Sequence, residues 1–313
     1  MSDRADNREQ TGGMNAATEW CSAPPTTITA ARAGAFAAAI GETEPVLLNG
    51  SVLAPTIAIL PAWEAEDLAL ARTLPAEAIA HVLHAEHAFE FLAPLQPGRA
   101  VDARSRVLAA STKRRGVLVT IRTELSDDRG LVGRQHYAAF AVGARLADTS
   151  AWSDRPRDTP AEPMGVTTKD VGAAVKDVGA AVEHVGSVVE HVDERWAERY
   201  ALASGDHFEV HLDRSCAQAL GYPSTILHGM CTFGIAARAV RELLGRSPRD
   251  RLAGVGVRFS APVILPARIR TDVAIQPGSG GGQAGRFTTT DIDRGTEVLT
   301  RGFFAYARDD AHA

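Results

Sequence analysis

Asp206 and His211 stand five residues apart behind a Ser204-Gly205 bend, so one short loop can hold a carboxylate and an imidazole side by side. Farther on, Ile226-Leu227-His228-Gly229 runs into an Ala-rich segment poor in Gly and Pro. A helix starting there points unpaired backbone N–H groups, and the positive end of its dipole, toward the space in front of it. An acid/base pair facing an oxyanion donor is what a reaction next to a carbonyl requires.

These residues resemble the signature of the MaoC-like (R)-specific enoyl-CoA hydratases and dehydratases. Ser204-Gly205-Asp206, His211, Asp213, Pro223 and Ile226-Leu227-His228-Gly229 match it at family-like spacing. One part departs: the family's Asn-Pro is Phe208-Glu209 here, and a phenyl ring cannot replace the hydrogen bonds of an amide. The resemblance implies an α+β double hotdog, two tandem units that each wrap a central helix in an antiparallel sheet. It implies Asp206 and His211 as the catalytic pair and the Gly229 N–H as the donor to the thioester oxygen. Ser204, Gly205, Phe208, Leu227 and His228 would line the substrate, with His228 shaping the loop before the helix. Water would add to C3 of a 2-enoyl thioester to give an (R)-3-hydroxyacyl product, or leave in the reverse direction, as part of fatty acyl metabolism. Coenzyme A or acyl carrier protein would enter as part of the substrate, and neither a metal nor another cofactor is implied.

The elements that must position this loop occur twice. Residues 41–47 line up with 205–211, Phe91-Leu92-Ala93-Pro94 with Phe259-Ser260-Ala261-Pro262, and Asp128-Arg129-Gly130 with Asp293-Arg294-Gly295, in the same order at nearly constant offset. Such repetition reads as a duplicated unit. The copies differ chemically, because Glu42 and Leu47 stand where the second half has Asp206 and His211, and leucine transfers no proton. The first copy's helix, residues 55–60, is expected to stop at Pro61 before the acidic segment 63–68, leaving a short or broken helix and space for an acyl group.

Strand-like stretches at 101–110, 116–125 and 132–142 are rich in Val, Ile and Thr and separated by turn formers. The second half repeats the plan, with a helix over 229–244 and strands over 253–259, 267–275, 285–291 and 297–307. The Gly-rich run 278–282 lacks the helix start of a phosphate loop and reads as a strand connection. The expected organisation is a disordered tail over 1–24, a first hotdog unit over 25–150, a linker over 151–196 and a catalytic unit over 197–313. Within the linker, residues 169–196 repeat every seven residues, with valines spaced four and three apart. On a helix they form a docking stripe, but Gly172, Gly179 and Gly186 oppose a helix, and a repeat expansion accommodated in a linker is the favoured reading.

Across 313 residues, a hydrophobic fraction of 45%, 23% charged residues and a net charge of −5 describe a soluble chain with no electrostatic case for nucleic acid or an anionic membrane. Cys21, Cys216 and Cys231 are odd in number and lack metal-ligand spacing, which suits free thiols in a reducing compartment, and Cys231 reads as a small hydrophobe in its helix. With no apolar run of signal-peptide or membrane-span type, the expected location is the cytoplasm. A fused pair satisfies hotdog pairing within one chain, so a monomer or a homodimer is expected. Two other readings stay open: a thioesterase using the same helix end, and a non-catalytic acyl-thioester binder, for which Leu47 and Phe208 speak.

Overall fold

A computed structural model describes residues 19–79, 82–146, 182–276 and 283–307. The first half runs β1 (Cys21–Thr27), α1 (Ala30–Ala39), α2 (Pro45–Leu48), a 3₁₀ turn (Pro55–Ala58), α3 (Ile59–Ala71), α4 (Ala76–Ile79), then β2 (Val82–Phe91), β3 (Ala100–Lys113), β4 (Gly116–Asp127) and β5 (Gly130–Val142). The second runs β6 (Glu183–Val192), α5 (Glu194–Ser204), a 3₁₀ turn (Glu209–His211), α6 (Arg214–Ala219), α7 (Gly229–Leu243), then β7 (Leu252–Phe259), β8 (Ala267–Ile275), β9 (Gln283–Asp291) and β10 (Thr296–Tyr306). Both orders run strand, helix, short helical turns, central helix and four strands. The chain is therefore an α+β double hotdog built by duplication.

One ten-stranded antiparallel sheet joins the units, in the order β1-β3-β4-β5-β2-β7-β10-β9-β8-β6. The order is a near palindrome, and its centre is the β2–β7 pairing, with Phe89 opposite Val255 and Glu90 opposite Gly254. Period-2 burial marks β4, which alternates buried and half-buried residues from Val117 to Asp127, whereas the central β2 and β7 each bury four residues in a row. The main core spans both units: Phe36 and Ile40 of the α1 end pack with Phe233 and Ala236 of α7 and Phe89 of β2. Gly234 is what allows this approach, since a Cβ there would lie 2.6 Å from the Ile40 side chain.

Three sequence expectations are corrected. The tail ends before residue 24, because Cys21–Thr27 pairs with β3, Cys21 opposite Ser105. Two prolines made the segment look unlike a strand, yet β1 is a sheet edge, with a register shift between Ala23 and Thr26, where a missing N–H is tolerated. The linker does not extend to 196: Glu183–Val192 is a strand paired with β8, and α5 begins at Glu194. Strand parity dissolves the valine stripe there, turning Val188 and Val192 inward and leaving Val189 45% exposed, as β-branched residues beside a helix-opposing glycine favour. The earlier repeats, 169–181, and the Gly-rich run 278–282 lie outside the described residues. Finally, Pro61 does not stop the first central helix. It sits at the third position of α3, where an N–H has no intrahelical acceptor anyway, and the helix continues to Ala71.

Candidate active site

Asp206 owes its position to the end of α5. Gly205 caps that helix at φ 90°, a left-handed conformation costly for other residues, and its N–H returns to the Ala201 carbonyl at 2.8 Å. The buried Ser204 hydroxyl donates to the Tyr200 carbonyl at 2.7 Å and accepts the Asp206 N–H at 3.1 Å. From the first unit, Arg32 donates to the Ala203 and Ser204 carbonyls at 3.1 and 2.8 Å, so this turn is clamped across the unit interface. Asp206 Oδ1 accepts the Phe208 N–H at 3.1 Å. The Phe208 ring, 49% exposed, turns to the rim, edge-on to His211.

His211 closes the following 3₁₀ turn. Its Nδ1 lies 2.8 Å from the Ile226 carbonyl, which can only accept, so Nδ1 carries the proton and Nε2 presents its lone pair. The carbonyl is fixed in turn: Ile226 bridges Ile264, and the Leu227 N–H donates to Val263 at 2.8 Å, with Leu227 itself buried. His228, the residue before α7, is buried; its Nε2 donates to the Asp206 carbonyl at 3.1 Å, and its ring stacks on His211 with centroids 3.9 Å apart. It therefore braces the pair from behind. Asp213 lies outside the cluster and caps α6, accepting the Ser215 and Cys216 N–H groups. His207 is exposed.

One ligand atom from each of Asp206, His211 and His228 lies within 4.8 Å of the others. A zinc-sized ion would draw its ligands to roughly 3.3 Å apart, whereas a water accepting and donating bonds of about 2.8 Å spans about 4.6 Å. The three side chains are thus close enough for a single water to bridge two of them. Burial lowers the basicity of His211, and the Asp206 charge and Ile226 carbonyl partly restore it. Burial, then the neighbouring His211, pushes His228 down to about 3, so it stays neutral. Gly229 opens α7 beside this group, and a Cβ there would lie 3.1 Å from the Phe259 ring, a contact that the missing side chain relieves. The N–H groups of that first turn have no intrahelical acceptor.

The first unit also contributes, which the sequence did not reveal. Asp67 on α3 is pushed up to about 6 by burial and then by the Asp206 charge, and the acidity of Tyr137 on β5 is weakened by burial and by Glu66, Asp67 and Asp206. Both therefore lie within electrostatic range of the catalytic candidate. The Tyr137 ring packs 4.4 Å from His84, which packs 4.7 Å from Phe259. Asp67 belongs to the acidic segment expected to follow a helix end at Pro61; only the continuation of α3 past Pro61 brings it here.

A family model described as a MaoC like domain matches residues 175–295. The second half is a MaoC-like domain. Residues 15–132 match a FAS1-like dehydratase domain region, so each unit has its own family match. Among curated relatives, the peroxisomal multifunctional enzyme type 2 of Drosophila melanogaster is 27% identical over 263 residues, 80% of this chain and 39% of that protein. Enoyl-CoA hydratase ChsH3 of Mycobacterium tuberculosis is 40% identical over 67 residues, 21% of this chain and 23% of that protein. The chain thus spans well under half the length of these relatives. Among solved structures, a MaoC-like dehydratase from Phytophthora capsici superposes with a TM-score of 0.70 at 22% identity, covering 95% of this chain and 98% of that one. A Mycobacterium tuberculosis protein described as a double hotdog gives 0.57 at 16% identity, covering 92% and 95%. At these identities the structures speak for the fold. No helix among the described residues is long and apolar enough to cross a membrane.

Proposed function

We propose that the chain is a hydro-lyase that interconverts 2-enoyl and (R)-3-hydroxyacyl thioesters of coenzyme A. The observation that carries this reading is the convergence of Asp206 and His211 beside the Gly229 helix start, within a MaoC-like half. Relatives named as enoyl-CoA hydratase and 3-hydroxyacyl-thioester dehydratase support it.

In this reading a water sits between the Asp206 carboxylate and His211 Nε2. As its oxygen bonds to C3, one proton moves to Nε2, and the C2–C3 π pair shifts so that negative charge gathers on the thioester oxygen. The Gly229 N–H receives that charge, a contact worth about 3–4 kcal/mol where such donors have been removed. The imidazolium is held by the Asp206 charge and the Ile226 carbonyl, the two groups that favour its protonated form. It then returns the proton to C2, so oxygen and hydrogen arrive on the same face. His228 cannot compete for that proton, being buried and held neutral. Catalysis resides in one unit because Leu47, buried at the equivalent of His211, carries no base.

The test is a spectrophotometric screen of trans-2-enoyl-CoA from crotonyl to hexadecenoyl, with chiral analysis of the product and a thiol assay alongside. Loss of enoyl absorbance without thiol release, giving the (R)-alcohol, is expected. Thiol release instead would make the protein a thioesterase, and neither signal at any chain length would refute turnover.

A further inference from the structure

A cavity of about 330 Å³ lies between the first unit and the segment leading into β7, and it plays no part in the proposed reaction. Its walls come from residues 51–55 and 57, from the end of β2 at Phe91 with residues 93–97 after it, and from residues 248–252 leading into β7. Duplication explains its location. Phe91 and Pro94 in its wall are the counterparts of Phe259 and Pro262, and Phe259 packs against Gly229 in the second unit. Pro55 opens the helical run that leads into α3, as Gly229 opens α7. The cavity therefore occupies in the first unit the position that the acid/base site occupies in the second.

Its inner end is closed. Glu42, at the equivalent of Asp206, is buried and bound by Arg241 of α7 at 2.6 Å, and Leu47 fills the place of the base. A small void lined by Glu42, Thr56 and Arg241 lies behind, sharing Pro55 and Leu252 with the larger cavity. What remains is a pocket whose apolar wall is formed by Val52, Leu53, Ile57 and Phe91. Two cations stand at its rim. Arg251 donates to the Leu92 carbonyl at 3.2 Å, and Arg249 makes no ion pair among the described residues. The one acid there, Asp250, is engaged by the Ser247 N–H at 3.1 Å and by Arg246 at 3.6 Å. The volume lies within the range of small-molecule sites, and an apolar interior with a cationic rim suits an acyl chain joined to a phosphate-bearing carrier.

We propose that this pocket is a second, non-catalytic binding site for an acyl thioester of coenzyme A. The choice of ligand rests on the proposed reaction; the existence of the pocket does not. The experiment is calorimetric titration of the full chain with unreactive saturated octanoyl-CoA, beside hydration assays with crotonyl-CoA. Two equivalents per chain are expected. Ala93→Trp, which fills the pocket, should leave one equivalent and an unchanged crotonyl-CoA rate, and Arg249→Glu with Arg251→Glu should weaken one of the two binding events at least tenfold. The charge variant alters only exposed residues and so serves if the tryptophan variant does not fold. One equivalent in the unaltered chain, or two that neither variant affects, overturns the proposal while leaving the hydratase reading intact. Two equivalents sensitive to the variants, with no turnover of any enoyl-CoA, sustain the pocket and sink the hydratase reading instead. If the pocket merely holds the distal end of a substrate bound at Asp206, octanoyl-CoA binds once and Ala93→Trp raises KM for long chains alone, and the proposal falls.

Discussion

Asp206→Asn is the most informative single perturbation because it removes a charge and little else. Asparagine keeps an oxygen for the Phe208 N–H, which Asp206 Oδ1 now accepts at 3.1 Å, so the loop should retain its shape. The loss falls on the imidazolium that His211 becomes during turnover. With the carboxylate and imidazole atoms no more than 4.8 Å apart, Coulomb's law at an effective dielectric constant of 20 gives about 3.5 kcal/mol. At about 1.4 kcal/mol per decade, that lowers kcat between roughly 10² and 10³-fold. Because the charge is needed in the transition state and not to hold the thioester, kcat should fall while KM for crotonyl-CoA stays within about threefold. Loss of enoyl absorbance under saturating substrate measures kcat, with circular dichroism confirming the fold. A variant within tenfold of the unaltered kcat would refute the assignment of Asp206 as the group that supports His211.

Other outcomes follow from groups around the site. Burial pushes Glu66 up to about 8 although Thr123 donates to it, so the folded chain keeps a proton that the unfolded chain releases above about 4.5, and stability falls as pH rises through that interval. Glu66→Gln should match the unaltered protein near pH 4.5 and exceed it in Tm by a margin that grows up to about pH 8 and then levels off. Asp67, raised from 3.8 to about 6, obeys the same sign over a lower window: Asp67→Asn should raise Tm above pH 6 and lose the advantage near pH 4. Arg241→Met strands the Glu42 carboxylate in the core and should cost about 3–5 kcal/mol in urea denaturation, whereas Glu42→Gln combined with Arg241→Met should recover most of it.

The sequence disclosed the site more fully than the frame around it. Ser204 through His211 and Ile226 through Gly229 are contiguous segments whose roles follow from turn, base and helix start, and the structure brings both to one place. The strands of each meander were legible because β-branched residues alternate between turns; β8 begins and ends where expected, at Ala267 and Ile275. Legibility failed where tertiary context overrules local preference. The prolines of β1 are acceptable only at a sheet edge, and the valines of β6 gave a helical stripe that pairing with β8 replaces. Pro61 marks a helix end only if the helix begins well before it. Contributions across the interface left no local signal at all, since Arg32 is 171 residues from the carbonyl it first binds.

That interface also bears on Phe208. Its ring, where the resembled family has an amide, faces outward, and its backbone N–H donates to Asp206. The loop's carboxylate therefore gets from the main chain an anchor independent of side-chain identity, which explains how phenylalanine can stand here without moving Asp206. Groups of the other unit feel the Asp206 charge, Tyr137 on β5 and Asp67 on α3. A duplicated unit freed from catalysis could diverge at those positions without losing the acid/base pair. The same freedom let Glu42 become the partner of Arg241, tying the helix that begins at Gly229 to the unit with Leu47 at the equivalent of His211. The first unit is thus part of the candidate site's construction, and a second half alone would lack the Arg32 clamp and the Glu42 tie.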